Sequence, residues 1–323
     1  MLFRSAASKN PLTIRKNAQL LSALIEDEKI DLVHARSRAP GWSALTAAQR
    51  TETPFVTTYH GAYSGTSGLK KRYNSVMAQG DLVIANSQWT AAHVMEVHEI
   101  PSDRIVTIPR GVDFAAFDPD QVTEARLNAL RHAWDLKPDD QRLRLVLPGR
   151  LTRWKGQGLA IDAIGALDPG EREHLHLILP GDAQGRDSYV TELEDKILAH
   201  KLGGTVSIVG HTADMPTAYA LADIVLAPSM RPEAFGRVAA EASAMAKPVI
   251  VADHGGQRET VIEGETGTRA EPGSVEALTA AIRTLMNLPP QSRETMGATG
   301  QAFVRENYSK KQLQTATLQV YGR

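Results

Sequence analysis

Two glutamates eight residues apart, Glu233 and Glu241, flank a Phe-Gly corner in the stretch RPEAFGRVAAEASA. A carboxylate just ahead of a helix can project past the end of a sheet and accept hydrogen bonds from sugar hydroxyls. A carboxylate one turn inside can grip a pair of vicinal ribose hydroxyls. The helix that opens near Gly236 would begin with unpaired backbone N–H groups and a positive dipole end, which suits an anion. Gly236 would let a phosphate come close to the backbone. A plainer reading also fits: Arg237 and Glu241, at i and i+4, would form a surface pair worth about 0.3–0.5 kcal/mol. Helix geometry alone leaves both open.

A second group of charges stands in VLPGRLTRWKG, directly after an apolar run. Gly149 permits a tight exit turn, and Arg150 and Lys155 lie on the short loop before a helix starting near Gln157. An arginine fork and a compact lysine charge together suit a diphosphate. A solvated basic loop with Arg153 as a third member is the alternative. In VTTYHGAYSG, His60 closes another apolar run, where it could hydrogen-bond a sugar hydroxyl or remain a half-exposed polar residue. Asp118-Pro119-Asp120 matches an Asp-x-Asp metal pattern in form, but a proline at the head of a polar segment reads as a turn. No His-Glu-x-x-His, phosphate-loop lysine motif or nucleophile elbow is present.

The elements that must hold these residues alternate strand and helix. IDLVHA (Ile30–Ala35), PFVTTYH (Pro54–His60), DLVIANS (Asp81–Ser87) and RIVTIPRGV (Arg104–Val112) read as buried strands. Ile14–Glu28 and Ser43–Thr51 carry helical periodicity between them. A polar segment from about Phe117 to Gln141, with a helix expected over Thr123–Trp134, marks a domain boundary. A second series follows: LRLVLPGR, LHLILPGD, TVSIVG, DIVLAPS and PVIVAD, then helices over Val275–Met286 and Lys310–Tyr321. This order implies parallel sheets covered on both faces, with ligands at the strand C-termini.

Bulk properties narrow the class. The 323 residues suffice for two domains, and a net charge of −1 leaves no footprint for nucleic acid. The chain has no cysteine, which excludes disulfides, thiolate metal sites and a cysteine nucleophile and fits a cytoplasmic protein. No apolar run approaches the roughly 20 residues that cross a bilayer. The basic GLKKRYNSVM (Gly68–Met77) could touch anionic lipid at the inner membrane surface or an anionic acceptor, or be a solvated helix face.

Taken in order, TTYHG, IPRGVDFAAFDP, PGRLTRWKG, VSIVGH, YALADIVLAPSMRPEAFGRVAAEASAMAKPVI and HGGQRETVIEGETG resemble the retaining glycosyltransferases of family 4 across nearly the whole chain. The resemblance implies the GT-B fold: α/β, two doubly wound Rossmann-like domains facing a cleft. The expected divisions are 1–118, 119–305 for nucleotide-sugar binding, and a C-terminal helix over 306–323 that packs back toward the first domain. It further implies a nucleotide-diphosphate sugar as donor and a saccharide or lipid-linked acceptor, in lipopolysaccharide or exopolysaccharide synthesis. No metal or other cofactor is implied. By position, Glu233 would contact the donor sugar and Glu241 the ribose. Gly149, Arg150, Lys155 and the N–H groups of Phe235, Gly236 and Arg237 would hold the diphosphate. Val209 and His211 would flank the base, and His60 would reach the donor sugar as a catalytic group beside Glu233.

Departures from the family pattern are Arg110, where asparagine is common, and Lys247, where glycine is frequent. The usual opening strand and glycine-rich loop are also missing ahead of SKNPLTIRKN, so the first domain is expected to be incomplete at its N-terminus. A donor-binding module without transfer, or a sugar-nucleotide epimerase, are the alternatives.

Overall fold

The computed structural model describes residues 6, 8–61, 63, 68–137 and 139–322. The opening residues 1–5 and 7, on which the expectation of an incomplete first domain falls, lie outside that set.

The chain divides into two units: Met1–Arg110 with Leu313–Arg323, and Gly111–Gln312. In the first, helix α1 (Pro11–Asp27) precedes four strands, β1 (Val33–Ala35), β2 (Phe55–Tyr59), β3 (Leu82–Ala85) and β4 (Ile105–Thr107). They form one parallel sheet in the order β1-β2-β3-β4. Its crossovers are α2 (Arg38–Thr51), α3 (Gly68–Asn74) with the turn Ser75–Ala78, and α4 (Gln88–His98).

Successive strand residues face opposite ways, and the apolar runs are buried on both sides. Phe55 and Val83 pack with Leu45, Met77 and Val94 from the crossover side. Val56 and Ile84 pack with Ile108, Leu313, Ala316 and Val320. Those last three residues belong to the chain's final helix, Lys310–Tyr321. Helix α2 begins five residues before the expected Ser43. Pro40 and Gly41 read as breakers, yet a proline in a helix's first turn loses no hydrogen bond.

The second unit contains α5 (Glu124–Ala133), β5 (Leu143–Val146), α6 (Gln157–Gly165), α7 (Pro169–Arg172), β6 (Leu175–Pro180), α8 (Asp187–Ala199) and β7 (Val206–Gly210). It continues with α9 (Met215–Leu221), β8 (Ile224–Ala227), α10 (Arg237–Ala244), β9 (Val249–Ala252), β10 (Gly267–Ala270), α11 (Val275–Met286) and α12 (Pro290–Asn307). The terminal helix is then α13 (Lys310–Tyr321). The six strands are parallel in the order β10-β9-β8-β5-β6-β7. Leu145, Leu177 and Ile224 face α6, α8 and α11, whereas their neighbours Val146, Ile178 and Val225 face α9 and α10.

The polar segment near residue 118 is not where the units divide. Residues just after Arg110 already belong to the second unit, because Val112 is buried with Phe235, Val304 and Tyr308 and its N–H donates to the Tyr308 carbonyl at 2.7 Å. Gly111 lies so close to Lys310 that a Cβ would sit 2.6 Å from its Cα. The second crossing falls between Gln312 and Leu313 rather than at 305.

Candidate active site

Strand order in the second sheet reverses between β5 and β8, and open α/β sheets bind ligands in the crevice at such a reversal. The loops leaving these two strands are stacked on each other. Gly149 takes φ +150° as β5 exits, and Gly156, at φ +83°, lies under the Pro228 carbonyl, which a Cβ would meet at 2.2 Å. Lys155 spans the two loops. Its Nζ donates to Glu233 Oε1 at 2.7 Å, with both side chains about seven-eighths buried.

The Ser229 hydroxyl donates to the same Glu233 oxygen. The other oxygen, Oε2, has no protein partner among the described residues, so its lone pairs remain available to a ligand's hydroxyls. Behind Glu233 stands a turn that the sequence reading did not assign to the site. His254 Nε2 donates to the Ser229 carbonyl at 2.7 Å, and the Gly256 N–H donates to the Glu233 carbonyl at 2.7 Å. Gly255, at φ +67°, is pressed against the Glu233 backbone. The His-Gly-Gly string after β9 was the only signal for it.

Helix α10 starts immediately after Gly236. The first helical bond runs from the Ala240 N–H to the Gly236 carbonyl, so the preceding N–H groups have no acceptor within the helix. The glycine also has a packing reason that the sequence does not show. Its φ is +97°, and a Cβ would meet Gln257 Cα at 2.6 Å. Close packing of the Gly255–Gln257 turn therefore by itself requires Gly236. Phe235 is likewise a core residue, edge-on to Tyr308 at 5.3 Å, and can offer a ligand only its backbone.

Glu241 forms the helical pair with Arg237, whose Nη2 donates to Oε1 at 2.8 Å. Its Oε2 accepts from Tyr219 at 3.1 Å. Burial, with the charge of Glu241, pushes the Tyr219 hydroxyl well above its ordinary pKa and keeps it a donor. Arg150 is exposed. With Thr152, Arg153, Arg186 and Arg231 it lines a cavity of about 450 Å³. Arg153 is held there by Glu192 and the Tyr189 ring.

Val209 lies near the end of β7 and His211 just past it, two strands from β5, a separation of about 10 Å at ordinary strand spacing. The neighbouring Thr212 hydroxyl accepts from buried Trp134 at 3.1 Å, which ties this loop to the end of α5. Asp118 caps the turn Pro119–Gln121. Among the described residues no three His, Asp or Glu side chains stand close enough to hold a metal ion.

His60 belongs to the first unit, one residue past β2. Arg110 donates to its Nδ1 at 3.2 Å. A guanidinium only donates, so Nδ1 accepts and the ring proton sits on Nε2. Burial, then the charges of Arg110 and Arg36, lower its pKa to about 4, leaving the ring neutral near pH 7.

The chain is similar in sequence and fold to known proteins. The profile of Glycosyl transferases group 1 matches residues 130–303, and that of Glycosyltransferase Family 4 matches residues 3–116. The chain is 29% identical over 309 residues to a D-inositol 3-phosphate glycosyltransferase of Xylanimonas cellulosilytica, covering 90% of this chain and 72% of that protein. It is 29% identical over 306 residues to a glycogen synthase of Mycobacterium tuberculosis, with 90% and 68% covered. Among solved structures, a glycosyltransferase from Rickettsia africae superposes with a TM-score of 0.87 at 32% identity, over 97% of this chain and 82% of that one. The Anabaena protein HepE, solved with UDP-glucose, gives 0.83 at 26% identity, over 97% and 84%. With a profile covering more than half its length and a fold shared over nearly all of it, the chain belongs to the glycosyl transferases group 1, in family 4 and of the GT-B fold.

Proposed function

We propose that this protein moves a sugar from a nucleotide-diphosphate sugar to a saccharide or lipid-linked acceptor with retention of anomeric configuration. The observation that carries the reading is the Lys155–Glu233 pair at the reversal of the second sheet, beside the open N-terminus of α10. In this reading Lys155, Arg150 and the first N–H groups of α10 neutralise the diphosphate, and Glu233 Oε2 accepts from donor-sugar hydroxyls. Glu241, fixed by Arg237 and Tyr219, presents its remaining lone pairs to the ribose, and Val209 and His211 flank the base. His60 donates from Nε2 to the donor sugar.

The acceptor hydroxyl oxygen bonds to the anomeric carbon on the face from which the diphosphate departs. The bond from that carbon to the phosphate oxygen breaks, and the same phosphate oxygen takes the hydroxyl proton. Negative charge grows on the leaving group in the transition state, so fixed cations and a helix end placed there lower the barrier.

Binding of UDP and UDP-glucose by HepE supports a nucleotide-sugar donor. Leu69, 83% exposed beside Lys70, Lys71 and Arg72, supports a peripheral contact with the cytoplasmic membrane face and a role in envelope polysaccharide synthesis. No helix of the described residues is long and apolar enough to cross a membrane.

The test is nucleotide release from a panel of nucleotide sugars, UDP-glucose first, with NMR of the product's anomeric carbon. An equatorial product from an axial donor would refute retention. UDP binding without transfer to any acceptor would reduce the protein to a donor-binding module.

A further inference from the structure

The parallel sheet of the first unit separates charge by end. The segments leaving the C-terminal ends of its strands, residues 36–40, 60–69, 86–89 and 108–112, carry Arg36, Arg38 and Arg110 and no aspartate or glutamate. The segments entering its N-terminal ends, residues 27–32, 51–54, 79–81 and 99–104, carry seven acidic residues against Lys29 and Arg104. In a doubly covered parallel sheet the C-terminal end is the one that meets ligands. Here that end is all cationic.

Individual residues bear this out. Arg36 is exposed and has no ion-pair partner among the described residues. Arg38 is committed elsewhere, to the Asn74 side chain at 2.7 Å and to the face of Tyr63. Arg110 follows β4, three strands from β1, and donates to His60 at the exit of β2. The field of Arg36 and Arg110 is felt inside the protein, since both hold His60 below its ordinary pKa after the effect of burial.

A second observation is independent of charge. Asn86 lies one residue beyond Ala85, which is in register with Tyr59 of β2 and Thr107 of β4. It is only 2% exposed, and neither its Oδ1 nor its Nδ2 has a hydrogen-bond partner among the described residues. Buried polar groups are nearly always paired, and one left unpaired at a ligand-facing end points to a ligand.

We infer that this end of the first sheet holds an anionic group, phosphoryl or carboxylate, gripped by Arg36 and Arg110 with the Asn86 amide as a neutral donor. Resting on the transferase reading, the acceptor is therefore an acidic saccharide rather than a neutral one. Arg110, in a position where the family commonly has asparagine, is then a determinant of acceptor specificity. Two guanidinium forks match both oxyanion geometries, so phosphate and carboxylate share the chemistry.

The experiment is calorimetric titration of the full chain, in low salt, with glucose 6-phosphate, glucuronate and glucose, and separately with UDP. At least one anionic sugar should bind about tenfold or more tightly than glucose, the worth of one charge-assisted hydrogen bond. Arg36→Gln and Arg110→Asn should each weaken it by about the same factor while UDP affinity stays unchanged. Arg50→Gln, at the opposite end of α2, should change neither.

Equal binding of glucose, or anionic binding that survives both arginine variants, overturns the proposal. So does binding of phosphatidylglycerol vesicles that depends on Arg36 and Arg110 when no anionic sugar binds, because that assigns this end to a membrane. Failure to bind UDP would instead remove the transferase reading and leave the anion site standing.

Discussion

Glu233 carries an uneven load: one carboxylate oxygen takes both Lys155 and Ser229, and the other takes no protein group among the described residues. Glu233→Gln keeps the shape but loses the charge. Under the proposed mechanism it should lower turnover by about 10²–10³-fold, the usual cost of one preorganised polar group, with UDP affinity changed little. Steady-state kinetics beside UDP titration would separate these. Lys155→Met acts differently, since it leaves a mostly buried carboxylate without its cation. Chemical denaturation should show a loss of about 2 kcal/mol, less than for a fully buried pair because both groups keep some solvent.

Neither consequence could be read from the two stretches alone. Spacing named the residue types, and the family resemblance set them in one site. That one salt bridge joins them across 78 positions is a product of strand order. Asn86 escaped notice for the same reason, and Arg110 stood out only as a departure from the family pattern. Asn86 is an ordinary strand-end asparagine until its burial is known, and Arg110 meets His60 only because β2 and β4 flank β3.

Among elements, the strands were the most legible, because a parallel strand buried on both faces is an unbroken apolar run, as IVLA shows in β8. Helix α12 was the least legible. Its sequence PQSRETMGATGQAFVREN contains two glycines that argue against a helix, and local propensity assigns them no purpose. The purpose of Gly297 is tertiary: a Cβ there would meet the Ala246 carbonyl oxygen at 2.1 Å. Gly236 belongs to the same class, since both its φ and its neighbour Gln257 forbid a side chain. Gly236→Ala should therefore destabilise by about 2–4 kcal/mol through combined backbone strain and overpacking. It should also weaken UDP binding, because the start of α10 must shift. A thermal melt with and without UDP would show both. An unchanged melting temperature would mean that the turn at Gln257 yields freely.

Across the whole molecule, the first unit should be the acid-sensitive part. Burial, with the nearby charge of Arg36, lowers His34 from 6.5 to about 4, and His60 is lowered equally. Between these values the unfolded chain binds protons that the folded unit refuses. Stability is therefore complete above about pH 6.5, falls as the pH drops toward 4, and levels off below that. Calorimetric scans across this range should show the transition of the first unit moving down, and a His34→Gln/His60→Gln variant should lose part of that slope, the rest coming from His93 and His98, which burial also lowers. The same unit depends on residues from the far end of the chain. Deleting 313–323 uncovers Val56, Ile84 and Ile108, each 3% exposed in the intact protein and each worth about 1.5–3 kcal/mol when buried. Its melting transition should vanish while that of Gly111–Gln312 persists.

The sheet β1–β4 thus waits for its second layer until α13 has been made. About 200 residues separate Arg110 from Leu313. At a ribosome's pace that is roughly 10–40 s during which a complete but half-clothed sheet hangs on the nascent chain. Synthesis order makes the second unit the first to finish, and the interval makes the unfinished one a client for chaperones that recognise bare apolar strands. A stalled or prematurely ended message would release a chain whose later-made half is sound and whose earlier-made half is sticky.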